Sequence, residues 1–227
     1  MPGLLLQWAS EEFELLPQRA LFWKREGMLI AADLHIGKPA AFRASGLPVP
    51  GGTTSSTLET LSTVIEETGA ARLLILGDLL HARAGRSHAT FHAVAEWRAR
   101  HASLDITLVR GNHDESAGDP PSEWGIECCD GPLTIRDIAM VHDPSRAPRR
   151  AARFIAGHVH PVFSLHDDDG TSLRLPCFCF GVRRALLPAF GAFTGGGRWD
   201  IEHGDRVFLA GDGHVLEAPL PLLLGSK

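Results

Sequence analysis

Five short apolar segments, each followed directly by a polar cluster, constrain the fold of this chain more than any other feature. Apolar segments that alternate with helical stretches are typical of βαβ units, whose parallel strands end at one edge of a sheet. The segments predicted as strands span residues 28–32, 72–76, 106–109, 138–141 and 154–156. Because the carboxyl ends of neighbouring parallel strands meet at one edge, we expect the five polar clusters to converge there.

The rest of the chain fits the same kind of fold. Residues 54–68 and 87–101 predict helices, the second with Ser87 as its N-cap. Three later segments with Gly- and Asp-rich turns between them predict antiparallel strands: 171–180, 206–210 and 214–218. The run Asp167, Asp168, Asp169, Gly170 lacks the EF-hand spacing and predicts a hairpin turn. Without a repeat or a convincing linker, we expect a single domain over residues 1–227.

The polar clusters contain a mixed set of oxygen and nitrogen donors. Two carboxylates, one amide oxygen and four imidazoles follow the strands: Asp33, His35, Asp78, Asn112, His142, His158 and His160. This mixture suits Mn, Fe or Zn, and it contains no soft thiolate. Seven donors are too many for one tetrahedral zinc and suit two metals that share a bridging carboxylate. The residues therefore predict a two-metal centre.

Charge and composition restrict the class of protein further. The chain has 22 Lys and Arg against 27 Asp and Glu, a net charge of −5 with histidine neutral. This mild acidity excludes a protein that binds nucleic acid by being basic everywhere, although it allows a local basic surface. No apolar run approaches the roughly 20 residues of a membrane span. The amino-terminal segment also lacks the pattern of a signal peptide, so we expect a cytoplasmic protein without a membrane partner.

One basic cluster lies between His142 and the last polar cluster. Its members recur at the period of one helix face and therefore predict a basic helix beside the donors: Arg146, Arg149, Arg150 and Arg153. A solvated surface is one interpretation, and a strip that follows a nucleic-acid backbone is the other. Arg83 and Arg86 would extend such a strip. Lys38, after the first polar cluster, is either a phosphate contact or a surface lysine.

Other residues that resemble known sites lack the necessary context. His88 and His92 are spaced i, i+4 on a predicted helix, but the zincin glutamate is missing, which favours an ordinary helix face. Ser145 and Ser164 have no nucleophile-elbow context. The cysteines lack zinc-ribbon or thioredoxin spacing and predict reduced, partly buried thiols: Cys128, Cys129, Cys177 and Cys179.

Taken in order, the clusters resemble the motifs of the calcineurin-like metallophosphoesterase superfamily. These motifs are Asp33-Leu34-His35, Gly77-Asp78, Gly111-Asn112-His113-Asp114, His142 and Gly157-His158-Val159-His160. Three further stretches resemble one branch, the bacterial ligase-associated metallophosphoesterases: DLHIGK at 33–38, GHVHP at 157–161, and a tail with RLPCF at 174–178 and LPAFGAFTGG at 187–196. The resemblance implies an α+β or α/β fold, a two-sheet β-sandwich flanked by helices, with metals at the carboxyl ends of strands.

The resemblance also implies a role for each residue. Asp33, His35 and His160 would hold one divalent cation, and Asn112, His142 and His158 the other, with Asp78 between them. Mn²⁺ is the expected metal, with Fe or Zn as alternatives. His113 would protonate the leaving oxygen, and Asp114 would orient its imidazole. His81 departs from the acidic or amide residue that many members carry there, and is either a solvated loop histidine or a residue that reaches the phosphate.

The expected reaction is phosphodiester hydrolysis. The branch implies a manganese-dependent DNA endonuclease in bacterial DNA repair, functionally associated with an ATP-dependent DNA ligase system. One alternative is a small-molecule phosphatase or nucleotide phosphodiesterase with the same two metals. A metal-bearing scaffold is another, although a scaffold has no need of His113 as a leaving-group acid. A pure DNA-binding module is disfavoured because the sequence contains no DNA-reading motif.

Overall fold

Two mixed β-sheets pack face to face in this chain, and helices cover the outer face of the first sheet. The computed structural model describes residues 3–50, 52–166, 172–197 and 199–219. This arrangement is the two-sheet sandwich flanked by helices that the family resemblance implies.

The first sheet has seven strands in sequence order within the described residues. They are β1 (Leu4–Trp8), β2 (Glu11–Leu15), β3 (Leu21–Trp23), β4 (Met28–Ala32), β5 (Arg72–Leu76), β6 (Asp105–Val109) and β7 (Ile126–Cys129). Strands β1 to β4 are antiparallel neighbours, whereas β4 to β7 are parallel. Ala32, Leu76 and Val109 pair side by side, so the loops that follow β4, β5 and β6 begin at the same level.

Four helices lie in the connections between the parallel strands of the first sheet. They are α1 (Lys38–Ala44), α2 (Thr53–Thr68), α3 (His88–Arg100) and α4 (Asn112–Ala117). The predictions of α2 and α3 are confirmed to within one residue at each end, and Ser87 accepts a hydrogen bond from the Thr90 N–H as the predicted N-cap. Among the described residues, no helix is long and apolar enough to cross a membrane.

The second sheet contains the remaining strands of the described chain. They are β8 (Leu133–Ile135), β9 (Ile138–Val141), β10 (Arg153–Ala156), β11 (Val162–His166), β12 (Ser172–Phe180), β13 (Arg184–Leu186), β14 (Arg206–Gly211) and β15 (His214–Glu217). Their order is β15-β14-β12-β13-β10-β9-β8, with β11 paired to β12. Val141 and Ala156 pair in the parallel β9–β10 ladder, so the loops after these two strands also begin level.

The turn predicted at 167–170 lies outside the described residues. The antiparallel pairing of β11 with β12 on either side of it runs from Val162 opposite Pro176 to His166 opposite Ser172.

Two apolar cores hold these layers in place. Between the sheets, Trp23 and Phe13 from the first sheet belong to the same buried cluster as Phe178 and Phe208 from the second. Burial of each such side chain contributes about 1.5–3 kcal/mol. A second cluster, which includes Trp97 of α3, joins the outer face of the first sheet to its helices. The first sheet is therefore packed on both faces, which holds its strand ends against the second sheet.

The predicted arginine helix at 146–153 is wrong. Pro144–Arg146 forms a single 3-10 turn, and an irregular segment then leads to β10, which begins at Arg153. Pro148 disfavours a helical conformation of the residue before it, and Ala147 is extended with φ −62° and ψ 133°. The arginines therefore lie on a loop and a strand start, and they do not share a helix face.

The cysteines behave as predicted. All four are free thiols, with Cys177 and Cys179 buried and Cys128 and Cys129 half-buried. Burial raises the pKa of the Cys177 and Cys179 thiols well above the ordinary range. Buried, protonated thiols of this kind are unreactive.

Candidate metal centre

Loops from both sheets meet at one site and bring all seven predicted donors together. Asp33 follows β4, Asp78 follows β5, His142 follows β9 and His158 follows β10. Hydrogen bonds cross between the sheets there. For example, the His158 N–H donates to Asp33 Oδ2 at 2.9 Å, and His142 Nδ1 donates to the Leu76 carbonyl at 2.9 Å. The site therefore lies at the junction of the two sheets.

The first donor group consists of Asp33, His35 and His160. Their ligand atoms all lie within 4.8 Å of one another. His160 Nε2 is 3.2 Å from Asp33 Oδ1, and the Asp33 side chain is completely buried. Three ligand atoms at this spacing can surround one cation.

The second donor group lies around His142. Its Nε2 atom is 3.1 Å from Asn112 Oδ1 and 3.0 Å from His158 Nδ1. The same atom is 3.5 Å from Asp78 Oδ1. The other oxygen of Asp78, Oδ2, is 3.8 Å from His35 Nε2 in the first group. Asp78 thus directs one oxygen to each group, which is the arrangement a bridging carboxylate needs.

Backbone carbonyls set the tautomers of two of these histidines. The Nδ1 atoms of His142 and His160 donate to the carbonyls of Leu76 and Gly195, the second at 3.1 Å. The Nε2 lone pair of each ring is therefore free to face the other donors. Gly195 belongs to the LPAFGAFTGG stretch of the tail. The sequence alone does not show that this stretch contributes to the centre.

Unsatisfied polar atoms show that these residues fit cations. Asp33 Oδ1, His35 Nε2 and His160 Nε2 are buried and make no hydrogen bond of good geometry. A buried polar atom without a protein partner costs about 1–3 kcal/mol, so three in one place are the arrangement that a bound cation would stabilise. The oxygen and imidazole donors are those that Mn, Fe and Zn accept.

Burial keeps His35 in the form that can bind a metal. Burial, followed by the positive charge of Lys38, lowers the pKa of His35 to about 2. Its imidazole is therefore neutral near pH 7, and one nitrogen lone pair is available. Burial likewise raises the pKa of the Asp78 carboxyl above its usual value.

Most of the predicted ligands have an unusual backbone conformation. Five of the seven lie in the left-handed region, with φ values of 56° at Asp33, 49° at His35, 53° at Asp78, 68° at His158 and 48° at His160. This region is uncommon for residues other than glycine, and such conformations cluster at functional sites. No sequence signal identifies this strain.

Glycines before the ligands leave room for them. A Cβ at Gly77 would collide with the ring of His142, and a Cβ at Gly111 would collide with the Asp78 carboxylate. Gly77 also has a φ of 75°, which side-chain-bearing residues adopt at a cost. These contacts explain why glycine precedes Asp78 and Asn112 in the motifs.

His113 lies at the edge of the centre and is accessible. Its Nδ1 atom donates to the His81 carbonyl at 2.7 Å, and its Nε2 atom is 3.9 Å from Asp78 Oδ2. The side chain is 35% exposed. A substrate phosphate over the donors could therefore reach Nε2, as a proton donor to the leaving oxygen requires.

The predicted contact between Asp114 and the His113 imidazole is wrong. The buried Asp114 carboxylate accepts backbone N–H bonds from Asp78 at 2.7 Å, Gly111 at 2.9 Å and Leu80 at 3.1 Å. A carboxylate satisfies these donors best because it offers two oxygens with several lone pairs. Asp114 therefore supports the loops that carry Asp78 and Asn112, and the His81 carbonyl orients His113.

His81 lies inside the centre and not on a solvated loop. Its Nδ1 atom is 3.3 Å from His35 Nδ1, and its ring stacks on His113 with centroids 4.8 Å apart. Burial, followed by the neighbouring His113 and Lys38, lowers the pKa of His81 to about 4. The neutral imidazole can thus share a proton with His35 while covering one face of His113.

The predicted substrate-binding cations occupy different environments. Lys38 begins α1, and its pKa is lowered by burial in spite of the nearby Asp78 carboxylate. The Arg86 guanidinium is engaged by the backbone, because it donates to the carbonyls of Ala117, Gly118 and Asp119 at 2.9–3.1 Å. This contact makes Arg86 a structural residue, and its predicted place in a substrate-binding strip is not supported.

The remaining predicted arginines lie near the surface. Arg83, Arg149 and Arg150 are exposed. Arg146 is 64% exposed and 3.4 Å from Glu115, whereas Arg153 is 4.0 Å from Asp137. His88 and His92, as predicted, lie on the surface of α3, where His92 is 3.3 Å from Glu96.

Comparison with solved structures shows similarity to a nuclease. The nuclease MPE of Pseudomonas putida is 39% identical, with a TM-score of 0.81 over 94% of this chain and 100% of that chain. The phosphoesterase YfcE of E. coli is 17% identical, with a TM-score of 0.39 over 82% and 88% of the two chains, too low to carry an argument. A comparison with curated proteins found no match.

Comparison with protein families agrees with the geometry of the centre. The family described as calcineurin-like phosphoesterase matches residues 28–162, more than half of the chain. That range contains the seven donors and His113. The resemblance inferred from the motifs is confirmed, and the chain belongs to the calcineurin-like phosphoesterase family.

Proposed function

We propose that this protein is a metal-dependent phosphodiesterase that cleaves DNA, an endonuclease of bacterial DNA repair. The observation that carries the proposal is the junction of seven donors, with Asp78 directed at both groups and His113 at the accessible edge. A nuclease structure that matches over 94% of this chain supports nucleic acid as the substrate class.

The residues divide the chemistry between them. The centre would hold one divalent cation with Asp33, His35 and His160, and a second with Asn112, His142 and His158, Asp78 serving both. When bound, such cations supply positive charge to the phosphate and acidify the attacking water. Mn²⁺ is the proposed metal, and the mixed oxygen and nitrogen donors support it.

His113 supplies the proton for the leaving oxygen. In its protonated form, the ring keeps its Nδ1–H on the His81 carbonyl and presents its Nε2–H to the substrate. Transfer of this proton avoids the release of a strongly basic alkoxide from the phosphodiester. Lys38 is the proposed contact to a phosphate oxygen, since it begins the helix directly after His35.

The cellular setting follows from the branch that the motifs resemble. We place the protein in the cytoplasm and propose functional association with an ATP-dependent DNA ligase system. Co-purification or shared repair phenotypes with such a ligase would test this part separately from catalysis.

The test compares substrates and metals on the same protein. Metal-free protein is incubated with Mn²⁺, and separately with other divalent ions, on bis(4-nitrophenyl) phosphate, 4-nitrophenyl phosphate and single-stranded DNA. We expect cleavage of the diester and of DNA, with a loss of at least about 100-fold in Asp78→Ala on both substrates. His113→Ala should lose that much on DNA, whose leaving alkoxide needs the proton, and less on the diester, because 4-nitrophenolate is a weakly basic leaving group. His88→Ala, an exposed histidine on α3, is the matched control. Monoester turnover without diester or DNA cleavage would instead indicate a small-molecule phosphatase.

A further inference from the structure

A small cavity adjoins one end of the metal centre and has no role in the chemistry described above. Its volume is about 120 Å³, and three of its lining residues are Asn112, His142 and His158 of the second donor group. The other walls include Val109, Val141, Pro132, Arg110 and Arg146. The cavity therefore adjoins the second donor group directly.

The two oxygens of Asp78 show which end of the centre this is. Oδ1 faces His142 Nε2 at 3.5 Å, on the side of the cavity. Oδ2 faces His113 Nε2 at 3.9 Å and His35 Nε2 at 3.8 Å. Neither His113 nor His35 lines the cavity. The proton donor and the cavity thus lie at opposite ends of the bridging carboxylate.

This arrangement separates the two ester groups of a diester. The oxygen that leaves must lie near His113, because that residue protonates it. The substituent that stays on phosphorus then extends towards the other end of the centre. We propose that the cavity binds this retained substituent and that it accepts a single uncharged ring, such as one nucleobase. The proposal rests on the proposed phosphodiesterase function and extends it to a specificity site.

The size of the cavity fits one ring. An apolar cavity of about 150 Å³ is known to bind benzene, whereas sites for drug-sized ligands are about 300–1,000 Å³. At about 120 Å³, the cavity can hold one six-membered ring that projects partly from its mouth. Val109, Val141 and Pro132 provide apolar surfaces for such a ring.

The charges around the cavity disfavour a second phosphate there. Arg110 is already engaged, because it donates to Asp119 at 2.7 and 2.8 Å and to Asp130 at 2.7 Å. The carboxylates of Asp130 and Asp143 line the cavity as well. An anionic group would therefore meet these carboxylates with no help from the engaged Arg110, whereas an uncharged ring would not be repelled.

Arg146 lines the cavity and pairs with an exposed carboxylate. Its guanidinium is 3.4 Å from Glu115, and both side chains are more than half exposed. An exposed ion pair of this kind contributes only about 0–1 kcal/mol, so the guanidinium can turn from Glu115 at little cost. Arginine planes stack well on aromatic and heterocyclic rings. Arg146 can thus cover the exposed face of a bound ring.

The test varies only the retained substituent while the leaving group stays the same. Bis(4-nitrophenyl) phosphate retains an aromatic ring, methyl 4-nitrophenyl phosphate retains a methyl group, and both release 4-nitrophenolate. The readout is the ratio of kcat/KM for the aryl ester to that for the methyl ester, each divided by its uncatalysed rate. We expect a ratio of about tenfold or more in the wild type, since one ring is taken from water into the cavity.

Two substitutions at Asp130 separate filling of the cavity from loss of an ion pair. Asp130 is 89% exposed and lies at the open edge of the cavity, so Asp130→Trp adds a ring that can cover the opening. Asp130→Ala removes the same contact to Arg110 without adding bulk. We expect the ratio to fall below about threefold in Asp130→Trp and to persist in Asp130→Ala. If Asp130→Trp fails to fold, Arg146→Ala serves instead, with an expected loss of about threefold in the ratio.

Each outcome bears on one of the two proposals. A wild-type ratio near one, or a ratio that Asp130→Trp leaves unchanged, would overturn the cavity assignment while diester hydrolysis stands. An equal fall in Asp130→Ala and Asp130→Trp would also overturn it, because the ion pair alone would then explain the effect. Failure of the wild type to hydrolyse either diester would instead remove the proposed function.

Discussion

The buried carboxylate of Asp114 offers a quantitative test of how the metal centre is supported. It accepts three backbone N–H bonds, from Asp78, Leu80 and Gly111, at 2.7–3.1 Å. Bonds to a charged group contribute about 1.5–3 kcal/mol each, so three are worth about 4.5–9 kcal/mol. Part of this is offset by the cost of burying the charge, which raises the pKa of Asp114 in spite of these bonds.

Substitutions of different kinds should therefore have graded effects on stability. Asp114→Ala removes all three bonds, and we expect the free energy of unfolding to fall by about 3–5 kcal/mol. Asp114→Asn keeps one oxygen for the Asp78 and Gly111 donors but turns an amide N–H towards Leu80, which we expect to cost about 1–3 kcal/mol. Urea unfolding of metal-free protein, followed by circular dichroism, measures both values.

The same experiment distinguishes support of the loops from orientation of His113. If Asp114 supports the loops, activity and stability should fall together, and both should fall less in Asp114→Asn than in Asp114→Ala. An Asp114→Ala variant that loses less than about 1 kcal/mol of stability but most of its activity would refute this reasoning. Such a result would favour a direct effect on the His113 imidazole, which the contacts of Asp114 do not show.

Three further predictions follow from the contacts. His81→Ala should lower diester turnover about tenfold and weaken Mn²⁺ binding without abolishing it, because His81 contacts the ring of His35. Unchanged kinetics in steady-state assays would contradict this prediction. Saturating Mn²⁺ should raise the melting temperature by about 5–10 °C over chelated protein, and Asp33→Ala should remove most of this gain in differential scanning fluorimetry. His101 Nε2 lies at hydrogen-bond distance, 2.7 Å, from the Ser62 hydroxyl oxygen. Burial of the ring, followed by the positive charge of Arg100, lowers the pKa of His101 below 6.5. The unfolded chain therefore binds more protons below pH 6.5, so stability should be full above that pH and fall below it; a melting curve equally pH-dependent in His101→Gln would count against this.

The strands that carry the centre could be predicted from the sequence because their signal is local. Runs such as Met28–Ala32 and Arg72–Leu76 are continuous apolar segments that end at a polar residue, as fully buried parallel strands do. Glu11–Leu15 carries a different local signal, in which the apolar Phe13 and Leu15 alternate with glutamates, and this signal could identify β2 as well. The donors follow from the same pattern, since they come directly after strand ends.

The errors arise where long-range contacts or prolines decide the outcome. The spacing of Arg146 to Arg153 matches a helix, but Pro148 extends the residue before it and prevents one. Asp114 is one residue from His113 in sequence, yet its partners include Asp78 and Leu80, more than 30 residues away. Arg86 likewise binds carbonyls beyond α4. Such hydrogen bonds depend on the folded position of backbone groups, which residue types do not reveal.

The position of the centre between two sheets divides the catalytic machinery along the chain. Residues 33–113 supply Asp33, His35, Asp78, Asn112 and His113, and residues 142–160 supply the other three donors. Neither half contains a complete site, and hydrogen bonds such as that from His158 to Asp33 join the two. Activity therefore requires that both halves of the chain are correctly associated. Two fragments separated near residue 137, between β8 and β9, should each be inactive and should recover activity only when they reassociate correctly.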